Sequence, residues 1–109
     1  MRRFVLIIAL SLVAISTYGQ MEIYGHIRSI NTKVSVEDAN VMLQDVKGSI
    51  LYDYSISDSE GYYLLEYDGD ADTLKIVVTG FNIEAQSKSI EARSQRVDFD
   101  VEYSDLEIR

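Results

Sequence analysis

The chain has no cysteine, no proline and a single histidine, His26. Without cysteine there is no disulfide framework, so a small domain has to be held by its hydrophobic core. There is likewise no N-terminal cysteine to carry a lipid anchor. A zinc site draws several histidine, cysteine or carboxylate ligands onto one metal, and one histidine does not supply them. His26 therefore reads as a surface residue. Without proline, exposed sheet edges must be kept from pairing with other chains by charge and twist. Positive charge is scarce as well: 10 Lys and Arg stand against 18 Asp and Glu, a formal charge of −8. Such a surface does not displace counterions from nucleic-acid phosphates, and an anionic membrane repels it. Long hydrophobic runs are absent too. The longest, "FVLIIALSLVAI" over Phe4 to Ile15, is well short of the ~20 apolar residues that cross a bilayer as a helix.

That run does fit another role. Arg2 and Arg3 precede it and "STYGQ" follows, with the small residues Thr17 and Gly19 where a signal peptidase reads. Residues 1–19 are expected to be a secretory signal cleaved after Gly19. Their loss leaves 90 of the 109 residues and, with two arginines gone, moves the formal charge from −8 to −10. One modest core fits this length, so 20–104 is expected to be a single exported domain with no membrane-spanning segment. In the last residues Leu106 and Ile108 still alternate like a strand. A natural terminus more often frays into a polar tail, so 105–109 read as the start of a linker or a truncated end.

From Glu22 onward the pattern is short strands between polar turns. Ile23, Gly25 and Ile27 share a face in "EIYGHIRSI"; Val41 and Leu43 share one in "NVMLQDV". Lys47 and Gly48 make a tight connection to "SILYDYSIS", where Ile50, Tyr52, Tyr54 and Ile56 alternate strictly. After the turn cluster Asp58, Ser59, Glu60, Gly61 come Tyr63, Leu65 and Tyr67 in alternation, then Leu74, Ile76 and Val78. The segment "NIEAQSKSIEARSQ" has helix-favouring residues but is read as a weakly patterned strand. At the end Val97, Phe99, Val101 and Tyr103 form an apolar face opposite Asp98, Asp100 and Glu102. About seven strands at these spacings predict an all-β, antiparallel β-sandwich.

The stretch "YDGDADTLKI" places Asp68, Asp70 and Asp72 at the spacing of the first three ligands of a calcium loop. The loop's sixth position, a glycine in that motif, is Thr73, and its twelfth, a bidentate glutamate, is Thr79. The stretch is therefore read as a hairpin turn, with calcium binding at these aspartates the alternative. No glycine loop for phosphate and no nucleophile-elbow pattern is present, so no catalytic, cofactor or metal residue is assigned and enzymatic activity is not expected.

Taken together these residues resemble the carboxypeptidase regulatory-like domain, a transthyretin-like seven-stranded sandwich. "GHIRS" looks like the family's glycine-led first strand, and "DANVMLQD" like its second, through Ala39, Val41 and Leu43. "SDSEGYYLL" is similar to the family's threonine-aspartate-x-aspartate-glycine-x-phenylalanine turn, with Ser57, Glu60 and Tyr63 as replacements and Gly61 intact; "ADTLKIVVTGF" is similar to the stretch ending in Gly80 and Phe81. The family often has a proline and a glycine just before the second strand, and Ser35 and Asp38 stand near those places. The resemblance spans Ile23 to Tyr103 and implies turns and core rather than catalysis. Similar modules follow a signal peptide at the N-terminus of TonB-dependent outer-membrane receptors. It implies a non-catalytic exported interaction module with a protein partner at the outer membrane or in the periplasm, the N-terminal extension of such a receptor or a remnant of one. The alternative is a free-standing periplasmic or surface domain that binds glycan or protein. Exposed tyrosines at Tyr24, Tyr62 and Tyr67 would give it a platform for sugars. Against that, Tyr52, Tyr54 and Tyr63 are expected in the core, the other tyrosines in cross-strand pairs, and the acidic residues Asp98, Asp100 and Glu102 on a solvated face.

Overall fold

The computed structural model describes residues 20–104; the expected signal, 1–19, and the final residues 105–109 lie outside the described residues. Every regular element among the described residues is a strand: β1 (Met21–Ser29), β2 (Asn40–Gln44), β3 (Leu51–Ile56), β4 (Tyr62–Tyr67), β5 (Thr73–Gly80), β6 (Ile83–Glu91), β7 (Gln95–Arg96) and β8 (Phe99–Val101). They form two sheets. In the first, β1 is flanked by β4 on one side and by β7 and β8, end to end, on the other; the second runs β3-β2-β5-β6.

Alternation decides what lies between the sheets, because successive side chains of a strand point to opposite faces. Ile23 and Ile27 of β1, Tyr63, Leu65 and Tyr67 of β4, and Val97, Phe99 and Val101 near the C-terminus meet Val41, Leu43, Leu74, Ile76 and Val78 of the second sheet, all of them buried. Each fully buried Val, Leu, Ile or Phe contributes about 1.5–3 kcal/mol relative to exposure. In a chain without disulfides this is the main stabilising term.

The sandwich is not wholly antiparallel, as the turn spacings predict, and it has eight strands rather than seven. β1 pairs in parallel with β7 and β8 at one constant offset, Tyr24 beside Arg96 and Ile27 beside Phe99. The expected last strand is split at Val97 and Asp98 because its ladder with β1 is interrupted there by side chains. The Val97 carbonyl accepts the Tyr63 hydroxyl at 2.5 Å. In its place the Asp98 carboxylate accepts the His26 amide at 2.9 Å. Gly25 permits this close approach, since a Cβ there would sit 1.8 Å from the Val97 oxygen.

Two further expectations change. β3 shows the predicted alternation, but Tyr54 (50% exposed) and Ile56 point outward and Tyr52 (37%) lies at the rim with its ring 4.9 Å from that of Tyr67, so only Tyr63 of the three tyrosines enters the core. β3 is an edge strand whose inner positions hold Asp53 and Ser55. Asp53 accepts from the Tyr54 amide at 2.8 Å and from the Glu66 amide of β4 at 2.7 Å, joining the rims of the two sheets. The aspartate stretch 68–72 is not a hairpin turn, since β4 and β5 belong to different sheets. It crosses between them around the ring of Tyr67, whose hydroxyl accepts the Ala71 amide at 3.0 Å. The doubtful segment is indeed a strand, β6, paired along its length with β5.

Candidate functional site

The outer face of the first sheet carries the side chains that the core does not use. Along β1 these are Tyr24, His26 and Arg28. On β4, Leu64 lies opposite Tyr24 and Tyr62 opposite His26. Tyr24 is 46% exposed and Tyr62 47%, and they occupy diagonal positions on adjacent strands, a separation within reach of one extended ligand. The His26 and Tyr62 rings lie 4.8 Å apart, tilted by 45°. Tyr67, expected to share this platform, is buried at 6% exposure because it falls on the inward phase of β4.

On the other flank of β1 the parallel register sets two ion pairs side by side. Arg28 Nε donates to Asp100 Oδ1 at 2.8 Å. Arg96 Nε donates to Asp98 Oδ1 at 3.0 Å. The hydrogen bond from Arg28 holds the Asp100 carboxyl below the ordinary carboxylate range. The bond to Asp98 raises the Arg96 guanidinium above its usual value. The Asp98 and Asp100 part of the expected solvated acidic face is thus neutralised by arginines of its own sheet. The rim is completed by β6: Lys88 Nζ donates to the Asp98 carbonyl and Gln86 Nε2 to the Asp100 carbonyl, both at 2.6 Å. Lys88 also lies over the Phe99 ring, 4.9 Å from its centroid, so its stem covers the core where β6 and β8 diverge. These groups enclose a polar cleft of about 410 Å³, within the range of small-ligand sites. His26 borders both the cleft and the aromatic platform, which makes them one continuous surface.

His26 Nε2 meets the Ser35 hydroxyl at 2.8 Å. Ser35 is brought there by a bridge between its segment and Arg28. A nucleophilic triad needs a third group orienting the imidazole, and among the described residues no carboxylate hydrogen-bonds the His26 ring. Asp68, Asp70 and Asp72 all lie exposed in the crossing from β4 to β5. Among the described residues no three His, Cys, Asp or Glu converge as metal ligands, and no helix is long and apolar enough to cross a membrane.

Sequence reasoning named Tyr24 and Tyr62 as exposed tyrosines and read His26 only as a surface residue; it did not find the cleft. Arg28 and Asp100 are 72 residues apart, and so are His26 and Asp98. Their shared offset becomes a signal once the first and last strands are paired in parallel.

Among solved structures, part of a 9R-lipoxygenase from Cyanothece PCC8801 superposes with a TM-score of 0.56 at 12% identity, over 78% of this chain and 17% of the lipoxygenase. The C-terminal domain of the shaft pilin spaA from Lactobacillus rhamnosus GG gives a TM-score of 0.49 at 17% identity, over 78% of this chain and 97% of that domain. The first likeness concerns the fold alone, and the chain spans about a sixth of the lipoxygenase. No family model and no curated protein matches the chain.

Proposed function

We propose that the chain is a non-catalytic, exported interaction module of the carboxypeptidase regulatory-like kind, the N-terminal extension of a TonB-dependent outer-membrane receptor or a remnant of one. The observation that carries the interaction reading is the outer face of the first sheet, where exposed tyrosines adjoin a polar cleft built from paired charges. Two backbone features support the family reading. Gly61, the intact glycine of the resembling turn, has φ +86, and Asp38, standing near the place where that family often has glycine, has φ 67. Both conformations are ones that glycine adopts without cost.

Strand addition is a second mode of association in this reading. The Ala92 amide donates to the Asp72 carbonyl, so the register with β5 turns the backbone groups of Ala85, Ser87 and Ser89 away from the sheet. The edge of β4 is less open: Asp53 and Asp58 occupy the Glu66 and Tyr62 amides.

The test is an immunoblot against this domain on separated periplasmic and outer-membrane fractions of the native cells. The expected result is an outer-membrane band several times heavier than the 12.4 kDa of this chain. A soluble band at the size of the processed domain overturns the receptor assignment.

A further inference from the structure

We infer that the surface formed by Tyr24, Tyr62 and the adjoining cleft is a binding site for an uncharged glycan; this rests on the interaction-module reading and names the ligand class of that same site. The two halves of the surface match the two kinds of surface a pyranose presents. Tyr24 and Tyr62 are half exposed on adjacent strands and offer ring faces to the C–H side of a sugar. The cleft offers donors and acceptors in alternation. Arg28 and Arg96 each bond to the protein through Nε alone among the described residues, which leaves the Nη donors of both guanidiniums for a ligand. Beside each lies the carboxylate that pairs with it. A hydroxyl group accepts from a guanidinium and donates to a carboxylate at the same time, so neighbouring hydroxyls engage an Arg–Asp pair without breaking it.

Charge selects against an acidic ligand. Asp98 and Asp100 neutralise the two arginines, so a carboxylate or phosphate reaching the free Nη donors meets a like-charged carboxylate beside each of them. Lys88 is held by the Asp98 carbonyl and the Phe99 ring. The chain as a whole carries −8, a field that repels polyanions on approach. A neutral polyol meets neither opposition. The platform and the cleft together extend beyond one sugar ring, so an oligosaccharide rather than a monosaccharide fits the surface.

The experiment is affinity electrophoresis of the full chain through gels containing laminarin, cellulose derivatised with hydroxyethyl groups, or mannan, with polygalacturonate as the acidic comparison. At least one neutral polysaccharide is expected to retard the chain and polygalacturonate is not. Tyr62→Ala and Arg28→Ala should each weaken that retardation by about three- to tenfold, the loss of one stacking or hydrogen-bond contact. Tyr54→Ala, an exposed tyrosine on the opposite sheet, should leave it unchanged. Far-UV circular dichroism confirms that each variant is folded, and Tyr62→Phe, which keeps the ring, should restore most of the retardation. Absence of retardation by all three neutral polymers overturns the inference. So does retardation by polygalacturonate alone, or retardation insensitive to Tyr62→Ala and Arg28→Ala. A chain found at receptor mass in the outer membrane but not retarded overturns the glycan inference alone. A retarded chain found soluble at the processed size overturns only the receptor assignment.

Discussion

Gly25→Ala should be among the most damaging single-methyl additions in this domain. Its Cβ would lie 1.8 Å from the Val97 carbonyl oxygen, 2.6 Å from the Val97 carbonyl carbon and 3.1 Å from Asp98 Oδ1. The nearest two are backbone atoms, so no side-chain rotation relieves the clash. The segment between β7 and β8 has to withdraw by roughly 1.5 Å to reach ordinary contact. Three hydrogen bonds go with it: Tyr63 hydroxyl to Val97 carbonyl at 2.5 Å, Val97 amide to Tyr24 carbonyl at 2.7 Å, and His26 amide to Asp98 at 2.9 Å. Overpacking of this kind costs about 1–3 kcal/mol. The buried Tyr63 hydroxyl, left without its acceptor, adds about 1–3 kcal/mol. A loss of about 2–6 kcal/mol is a large part of the roughly 5–15 kcal/mol that holds such a domain together. It lowers Tm by at least about 8 °C at this size. Urea unfolding followed by circular dichroism reads it directly, and the tyrosines report in a chain without tryptophan. A Gly25→Ala variant within about 0.5 kcal/mol of the parent refutes the reasoning. The stricter check is a cycle with Tyr63→Phe. If alanine already pulls Val97 away, the two losses are less than additive, and full additivity sinks the proposed link between Gly25 and Tyr63.

Burial pushes the Tyr63 phenol above its ordinary value of 10.0, with the negative Asp98 adding to the effect. The unfolded phenol ionises first, so this contribution is intact below pH 10 and lost as pH rises above it; Tyr63→Phe should shallow the alkaline limb of a stability profile, and an unchanged limb counts against the assignment. Asp100 has the opposite sign. Arg28 holds its carboxyl below 3.8, so its contribution is present above that pH and fades below it, and Arg28→Gln should flatten the acid limb of the same profile. Ser57 is buried, accepts the Ala39 amide at 2.9 Å and donates to the Val36 carbonyl at 2.7 Å; Ser57→Ala should cost about 1–3 kcal/mol by chemical denaturation, and Ser57→Thr less. Gly61 has φ +86 and a Cβ there would meet the Ile27 carbonyl oxygen at 2.6 Å; Gly61→Ala should lower stability by about 1–3 kcal/mol, and an equal or higher Tm contradicts the turn geometry.

What the sequence showed well was whatever depends on neighbours two residues away. The shared apolar faces of β1, β2, β4, β5 and β8 follow from alternation, and Ile23, Val41, Leu65, Ile76 and Phe99 on those faces are all buried. Alternation does not say which face of a strand will be covered. β3 alternates as cleanly as any strand, yet Tyr54 and Ile56 face outward and Tyr52 only edges the core at Tyr67, because β3 lies at the sheet edge with Asp53 turned toward β4. Nor does alternation give partners. The aspartates of 68–72 look like a hairpin turn because two strands flank them, and only the assignment of β4 and β5 to different sheets makes the stretch a crossing. The cleft was hidden for the same reason, since its ion pair between Arg28 and Asp100 depends on a parallel pairing between the two ends of the domain.

The missing proline and the excess of acid are connected through the sheet edges. Charge was expected to protect those edges by repulsion, but the structure gives some of the carboxylates a more specific task. Asp53 and Asp58 bond the Glu66 and Tyr62 amides on the free side of β4, which occupies the donors another chain would need. The opposite rim closes by other means: the Glu84 amide donates to the Glu102 carbonyl, and Gln86 and Lys88 reach from β6 to carbonyls of the C-terminal segment. Between these ties the middle of β6 keeps its outward backbone groups, flanked by Ala85, Ser87 and Ser89 rather than by carboxylates. The β4 edge and the rim between β6 and the C-terminal segment are therefore plugged or tied along part of their length by named side chains and backbone bonds, and the middle of β6 is left as a stretch where an added strand meets small residues and no competing carboxylate.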